Sequence, residues 1–198
     1  AGALVVILRR TQGGAGDDTI ASTATVSSEL YGGNGADSIA AGNAGELVFG
    51  GNGISGANDG NDTIKGGTGN DTIFANGGDD SVHGGASGAN WIHGGGGDDT
   101  IDNVGSDGNE IYGGNGADSI AAGSGATTGD VIYGGNGISG ANDGNDTIKG
   151  AAGADTIFAN GGDDSVHGGA GAGSEWIHGG GGDDTIDNLG TGGNEVYG

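Results

Sequence analysis

Nine aspartates stand at one recurring place in this chain: Asp18, Asp37, Asp62, Asp80, Asp99, Asp118, Asp146, Asp164 and Asp184. Each follows a glycine-rich stretch, as in GGAGDDTIA (13–21), GGNGADSIA (32–40 and 113–121) and GGGGDDTID (94–102 and 179–187). Glycine at the first, second and fourth places lets such a loop adopt positive φ and draws its backbone carbonyls together. A carboxylate added to those carbonyls makes a set of hard oxygen donors, and hard donors suit Ca²⁺. Asp71 and Asp155 fill the same place in GGTGNDTIF (66–74) and GAAGADTIF (150–158), as secondary candidates. The chemistry expected of these residues is cation binding.

The elements that must position them follow from the repeat. The pattern G-G-x-G-x-D-x-U-x, with U a large aliphatic residue, recurs in exact and degenerate copies from residue 13 to residue 197. Places 7–9 read as a short strand whose middle residue points inward. Ile20, Ile39, Ile64, Ile73, Val82, Ile92 and Ile101 begin that inward row, and Ile111, Ile120, Ile132 and Ile148 continue it.

On these motifs the chain resembles the RTX (repeats-in-toxin) calcium-binding nonapeptide-repeat family. The resemblance implies an all-β fold, a right-handed parallel β-roll in which two nonapeptides make one coil of about 18 residues. It also implies Ca²⁺ held between loops of successive coils on the same side. Roughly nine coils, at ~4.8 Å each, make a rod about 40 Å long.

A longer period is superimposed on the short one. Tyr31 recurs as Tyr112, Ile64 as Ile148 and Trp91 as Trp176, which divides a single β-roll (13–198) into long repeats 13–93 and 94–178 and a partial copy, 179–198. Insertions ISGANDG follow Gly53 and Gly137, with further extra residues around Ala126–Gly129. Residues 1–12 read as an N-terminal cap or the end of a preceding segment. Their apolar run, ALVVIL, is too short to span a bilayer. The chain itself is expected to be a fragment or a processed product.

Sorting half-turns by parity separates two sides. One carries all nine aspartates, and its eight gaps imply about eight Ca²⁺ ions. On the other side the sixth place is Ser28, Asn90, Asn109 or Asn194, or an acid in an irregular loop (Glu46, Asp130, Glu175), and few or no ions are expected. The strands after these loops carry Tyr31, Phe49, Phe74, Trp91, Tyr112, Tyr133, Phe158, Trp176 and Tyr197. That row forms a candidate interaction face for self-association, a neighbouring surface protein or a glycan, or else a self-stabilising ring ladder.

Composition narrows the function classes. Of 198 residues 55 are Gly, only 32% are hydrophobic, and the net charge is −23. Such a chain buries too little apolar surface to offset its ordering entropy unaided. With only four Lys and Arg it is poorly suited to nucleic acid or anionic lipid. His83 and His93 fall on opposite strands, as do His167 and His178, so no transition-metal site is expected. The pairs Asp17-Asp18, Asp79-Asp80, Asp98-Asp99 and Asp183-Asp184 are adjacent in sequence and cannot flank a glycosidic bond. NDGND (58–62 and 142–146) lacks the later glutamate of an EF-hand loop. The sequons at Asn61, Asn70 and Asn145 lie inside the cation loops, and only Thr68 with Asn70 fits a regular Thr/Asn ice-binding pattern. The expected protein is a non-catalytic extracellular module of a bacterial surface layer, fibre or adhesin, folded by calcium. The alternative is the calcium-folding tail of a type I-secreted enzyme or toxin whose catalytic domain lies outside this chain.

Overall fold

The computed structural model describes residues 9–53, 59–103, 105–123, 128–137, 143–188 and 190–198. Residues 1–8 of the expected cap, most of both ISGANDG insertions (54–58 and 138–142) and the extra residues 124–127 lie outside the described residues.

The alternation of loop and three-residue strand in the sequence becomes two parallel sheets. The first holds ten strands: β1 (Arg9–Ala15), β3 (Ser28–Asn34), β5 (Leu47–Phe49), β7 (Thr72–Gly77), β9 (Trp91–Gly96), β11 (Glu110–Asn115), β13 (Val131–Tyr133), β15 (Thr156–Gly161), β17 (Trp176–Gly181) and β19 (Glu195–Tyr197). The second holds nine: β2 (Thr19–Ala21), β4 (Ser38–Ala40), β6 (Thr63–Lys65), β8 (Ser81–His83), β10 (Thr100–Asn103), β12 (Ser119–Ala122), β14 (Thr147–Lys149), β16 (Ser165–His167) and β18 (Thr185–Asp187). Odd and even strands alternate along the chain, so each step crosses from one sheet to the other and each pair of steps adds one coil. No helix occurs among the described residues.

Register follows the eighth place of the repeat. In the second sheet Ile20, Ile39, Ile64, Val82, Ile101, Ile120, Ile148, Val166 and Ile186 are successive partners. In the first sheet Leu30, Val48, Ile73, Ile92, Ile111, Ile132, Ile157, Ile177 and Val196 stack the same way. These two columns, with Ala75, Ala122 and Ala159, are the hydrophobic core, except at the last coil, where Ile186 is only partly buried and Val196 is exposed. Burying each aliphatic side chain is worth about 1.5–3 kcal/mol, which is modest for a chain this long.

Two details depart from the sequence reading. Several first-sheet strands run on for three more residues, so that Asn76 and Gly77 pair with Gly95 and Gly96, because the glycine loop starts in register before it turns. Residues 9–12, assigned from sequence to the cap, begin β1 and pair with β3. The insertions do not disturb the columns. Coils containing them are longer, with 25 residues separating Asp37 from Asp62 and 28 separating Asp118 from Asp146, against 18–20 elsewhere on that side.

Candidate metal centre

The nine aspartates form one line up the acid side, where the chain passes from the first sheet to the second. Their Oδ1 atoms are tied from coil to coil. The Asp18 N–H donates to Asp37 Oδ1 (2.8 Å), Asp37 N–H to Asp62 Oδ1 (2.7 Å) and Asp62 N–H to Asp80 Oδ1 (2.7 Å). The same bond joins Asp80 to Asp99, Asp99 to Asp118, Asp118 to Asp146, Asp146 to Asp164 and Asp164 to Asp184. An acid at the sixth place thus fixes the height of the coil before it, whether or not a cation is bound.

The fifth place braces the stack in the opposite direction. Asp17 Oδ1 accepts from the Ala36 N–H of the following coil, Asp79 Oδ1 from Asp98 N–H and Asp98 Oδ1 from Ala117 N–H. Asn61 and Asn145 accept equivalent bonds from Asp79 and Asp163. The paired acids of the sequence are therefore two hydrogen-bond rows, one pointing up the solenoid and one pointing down.

What remains is a column of unsatisfied charge. The Oδ2 atom of every one of the nine acid-side aspartates is buried and without a hydrogen-bond partner. Seven of these residues, Asp37 through Asp164, are only 1–2% exposed. Burial raises their carboxyls, aided by repulsion from neighbouring acids. Asp62, Asp99 and Asp118 reach about 7, Asp146 about 8 and Asp80 about 9. A buried carboxylate oxygen with no donor is strongly disfavoured, so each member of this row must be matched by a cation or a proton.

In seven of the nine acid-side loops glycine at the first place leaves room for this arrangement, and Ala75 and Ala159 stand there in the other two. At Gly13 a Cβ would lie 2.5 Å from the Gly32 carbonyl oxygen of the next coil and 2.6 Å from Asp18 Oδ2. The first-place glycine therefore lets a carboxylate oxygen and a carbonyl oxygen from successive coils approach one another. In the loops 75–80 and 159–164 the second place holds Asn76 and Asn160, with φ of 83° and 78°. Asparagine tolerates that left-handed region. Among the described residues no three His, Cys, Asp or Glu side chains converge as a metal cluster. Carboxylates from adjacent coils would thus hold a cation together with loop carbonyls, a donor set suited to Ca²⁺.

Sequence reasoning missed two members of this side. Asp59 and Asp143, from the tails of the insertions, reach back into the acid row. The Asp59 carboxylate lies against Gly51 with both oxygens buried and unpartnered. Burial raises it to about 6. Asp143 Oδ2 accepts from the Gly161 N–H at 3.1 Å, leaving Oδ1 unpartnered. The signal was the aspartate of ISGANDG recurring in both insertions, but the insertion breaks the nine-residue count that ranked the others.

The second side uses the same coil-to-coil bond with mixed residues. Asp71 N–H donates to Asn90 Oδ1, Asn90 N–H to Asn109 Oδ1, and Asn109 N–H to Asp130 Oδ1. Asparagine supplies the same acceptor without the charge. Asp155 has both oxygens engaged, by Asp130 N–H and Ala151 N–H, whereas Asp71 Oδ2 is free of partners. Glu46, Asp130 and Glu175, read as acids in irregular loops, are 1–2% exposed.

The first sheet's outer face carries the aromatic row as a continuous ring stack. Centroids are 4.7 Å apart for Tyr31 and Phe49, 5.0 Å for Phe49 and Phe74, 4.6 Å for Tyr112 and Tyr133, and 5.0 Å for Tyr133 and Phe158. Trp91 and Trp176 bridge the stacked runs. Arg10 covers the Tyr31 end at 4.3 Å. Most of these rings are half-buried, with Phe49 buried and Tyr197 49% exposed. His93 lies between Trp91 and Tyr112, and burial lowers its pKa. His83 and His167 are on the other sheet, each 3.5 Å from an aspartate, Asp102 and Asp187.

No curated protein matches the chain. The family model described as RTX calcium-binding nonapeptide repeat (4 copies) matches residues 12–24, 29–55, 56–87, 85–103, 103–129, 140–174 and 170–187, well over half of the chain. This β-solenoid of calcium-binding repeats therefore belongs to the RTX calcium-binding nonapeptide-repeat family.

Proposed function

We propose that this chain is a non-catalytic structural rod of an extracellular bacterial surface, folded by calcium on its acid side and assembled through its aromatic face. The observation that carries the calcium half is the unbroken row of buried, unpartnered Oδ2 atoms from Asp18 to Asp184. Its eight intercoil gaps accommodate about eight ions, held by the nine aspartates, with Asp59 and Asp143 adding charge where the insertions return. Bound Ca²⁺ neutralises these carboxylates, and because the unfolded chain lacks the arrangement, its binding energy becomes folding energy. Extracellular calcium supplies the ion, and its scarcity inside the cell keeps the chain unfolded for export.

The assembly half is supported by the aromatic face. Its rings stack on one another yet, Phe49 apart, stay at least partly exposed along the sheet. The pattern repeats with the long period, Trp91 and Tyr112 recurring as Trp176 and Tyr197. A face with that periodicity offers a second copy of the rod equivalent contacts at each step, as a layer or fibre needs. The near-identity of the long repeats favours this reading over the tail of a secreted enzyme.

The aromatic half is tested by Trp91→Ser with Tyr112→Ser. In calcium the double variant is expected to keep its β circular dichroism but sediment as a smaller species than the wild type. Unchanged sedimentation would leave the stack with a purely intramolecular role.

A further inference from the structure

The outer face of the second sheet, away from the aromatic row, carries a repeating pattern of its own. Each strand there presents two outward places, the seventh and the ninth of the repeat, on either side of the inward aliphatic. At the seventh place threonine and serine alternate without a break from Thr19 to Thr185, and all are exposed. At the ninth place Lys65, His83 and Asp102 stand on successive strands in register. Ala121 comes next, and Lys149, His167 and Asp187 then repeat the order. These are the only two lysines of a chain whose net charge is −23. Neither has an ion-pair partner among the described residues, whereas His83 and His167 each lie 3.5 Å from the aspartate of the next coil.

The order Lys-His-Asp-Ala-Lys-His-Asp is complementary to its own reverse. Consider a second copy lying face to face and antiparallel, related by a two-fold axis that passes over Ala121. Such a contact is isologous, so every pairing across it occurs in both senses. Lys65 faces the second copy's Asp187, and Asp102 faces its Lys149, which makes four Lys–Asp pairs in all. His83 faces His167, and Ala121 faces itself. At the seventh place threonine meets threonine and serine meets serine. Moving the axis by one strand sets lysine against lysine, and moving it by two strands halves the number of Lys–Asp pairs. Parallel packing sets the charged column against the hydroxyls. Charge therefore singles out one orientation and one register.

We propose that the outer face of the second sheet binds a second copy of this chain, antiparallel and centred on Ala121, through these four pairs. The contact spans the seven strands from β6 to β18, a strip roughly 30 Å by 10 Å. An interface that small belongs to the transient class. Its ion pairs stay near solvent, where they set orientation and register more than they add affinity. The contact is independent of the aromatic face. Together the two would give the rod a partner on each sheet, which a layer needs and a closed dimer does not.

The test is made in calcium on a parent carrying Trp91→Ser and Tyr112→Ser, so that the aromatic face does not contribute. Sedimentation equilibrium compares this parent with Lys65→Glu plus Lys149→Glu, and with Asp102→Lys plus Asp187→Lys. The parent is expected to dimerise with rising concentration. Each charge variant should dimerise at least about tenfold more weakly, because like charges then face one another at all four places. An equimolar mixture of the two should dimerise again, since opposite charges meet at every place. A parent that stays monomeric, charge variants that dimerise as the parent does, or a mixture that stays monomeric would overturn the proposal. The chain has no cysteine, so a second measurement needs no charge change. Ala121→Cys in the same parent should oxidise to a disulfide-linked dimer much faster than Ala40→Cys, which meets no copy of itself. Equal rates at the two positions would refute the register.

Discussion

At pH 7.5, chelating calcium is expected to abolish the β circular dichroism of this chain, and acidifying the metal-free chain to about pH 4 is expected to restore a large part of it. The cause lies in the raised carboxyls. Asp62, Asp99 and Asp118 are held at about 7 by burial, Asp146 at about 8 and Asp80 at about 9. In the unfolded chain the same groups titrate near the ordinary aspartate value of about 3.9. A folded-state value above the unfolded one gives stability that is fully present below the unfolded value and lost as pH rises through the folded one. The cation-free roll is therefore favoured in acid and loses stability from about pH 4 upward, until the loss is complete near pH 9. Each carboxyl held at about 7 opposes the ionised, cation-free fold by roughly 4 kcal/mol at higher pH. Three such residues already rival the about 5–15 kcal/mol that stabilises an ordinary domain. With calcium the sign reverses, because the ion requires the ionised form. Where the cation-free chain is folded and protonated, below about pH 6, calcium must displace those protons, so its affinity should fall and proton release on binding should rise as pH drops towards 4. Metal-free circular dichroism at pH 4 and 7.5 checks the first sign, and calcium titrations over the same pH range check the second. A metal-free chain fully folded at pH 7.5 would contradict the reading.

Gly116→Ala is expected to destabilise the calcium-bound roll by about 2–6 kcal/mol, combining backbone strain with overpacking. Gly116 has φ of 115°, beyond the left-handed region that non-glycine residues visit. A Cβ there would overlap the Gly97 carbonyl of the preceding coil, 2.7 Å from its carbon, and would lie 3.0 Å from Asp98 Oδ1. Neither neighbour is free to retreat. The Gly97 N–H donates to Asn115 O at 2.9 Å, and Asp98 Oδ1 accepts from Ala117 N–H at 2.9 Å. Gly16→Ala provides the comparison, since φ there is 97° but no atom lies within 4 Å of the new Cβ. The Gly116 variant should show the lower thermal midpoint in saturating calcium and need more calcium for half-maximal folding. Equal effects at both positions would mean that backbone strain alone sets the requirement for glycine.

The parts of this fold that obey a count were legible in the sequence. Ile101 and Ile186 could be placed in the core because they sit two residues after an aspartate that closes a glycine loop, and the strands pair them as expected. The line from Asp18 to Asp184 followed from parity, since each coil contributes one loop to each side. Asp59 and Asp143 were not legible because a seven-residue insertion hides how far the chain must travel to return to the stack. Glu46, Asp130 and Glu175 sit in loops that depart from the repeat, yet the backbone still delivers them to the sixth place, where they are buried. Position in the stack, rather than local sequence, decides their environment. The role of Asp17, Asp79 and Asp98 was hidden for a related reason: their hydrogen bonds reach a residue about 19 positions away, in the next coil.

A crystal grown in calcium and measured at long wavelength is the most direct test of a cation-held acid side. Anomalous peaks are expected in the gaps between successive acid-side loops, beside the Oδ2 atoms of Asp37, Asp62, Asp80, Asp99, Asp118, Asp146 and Asp164. A folded chain with no peaks in those gaps, its aspartates protonated or bonded to water instead, would contradict it.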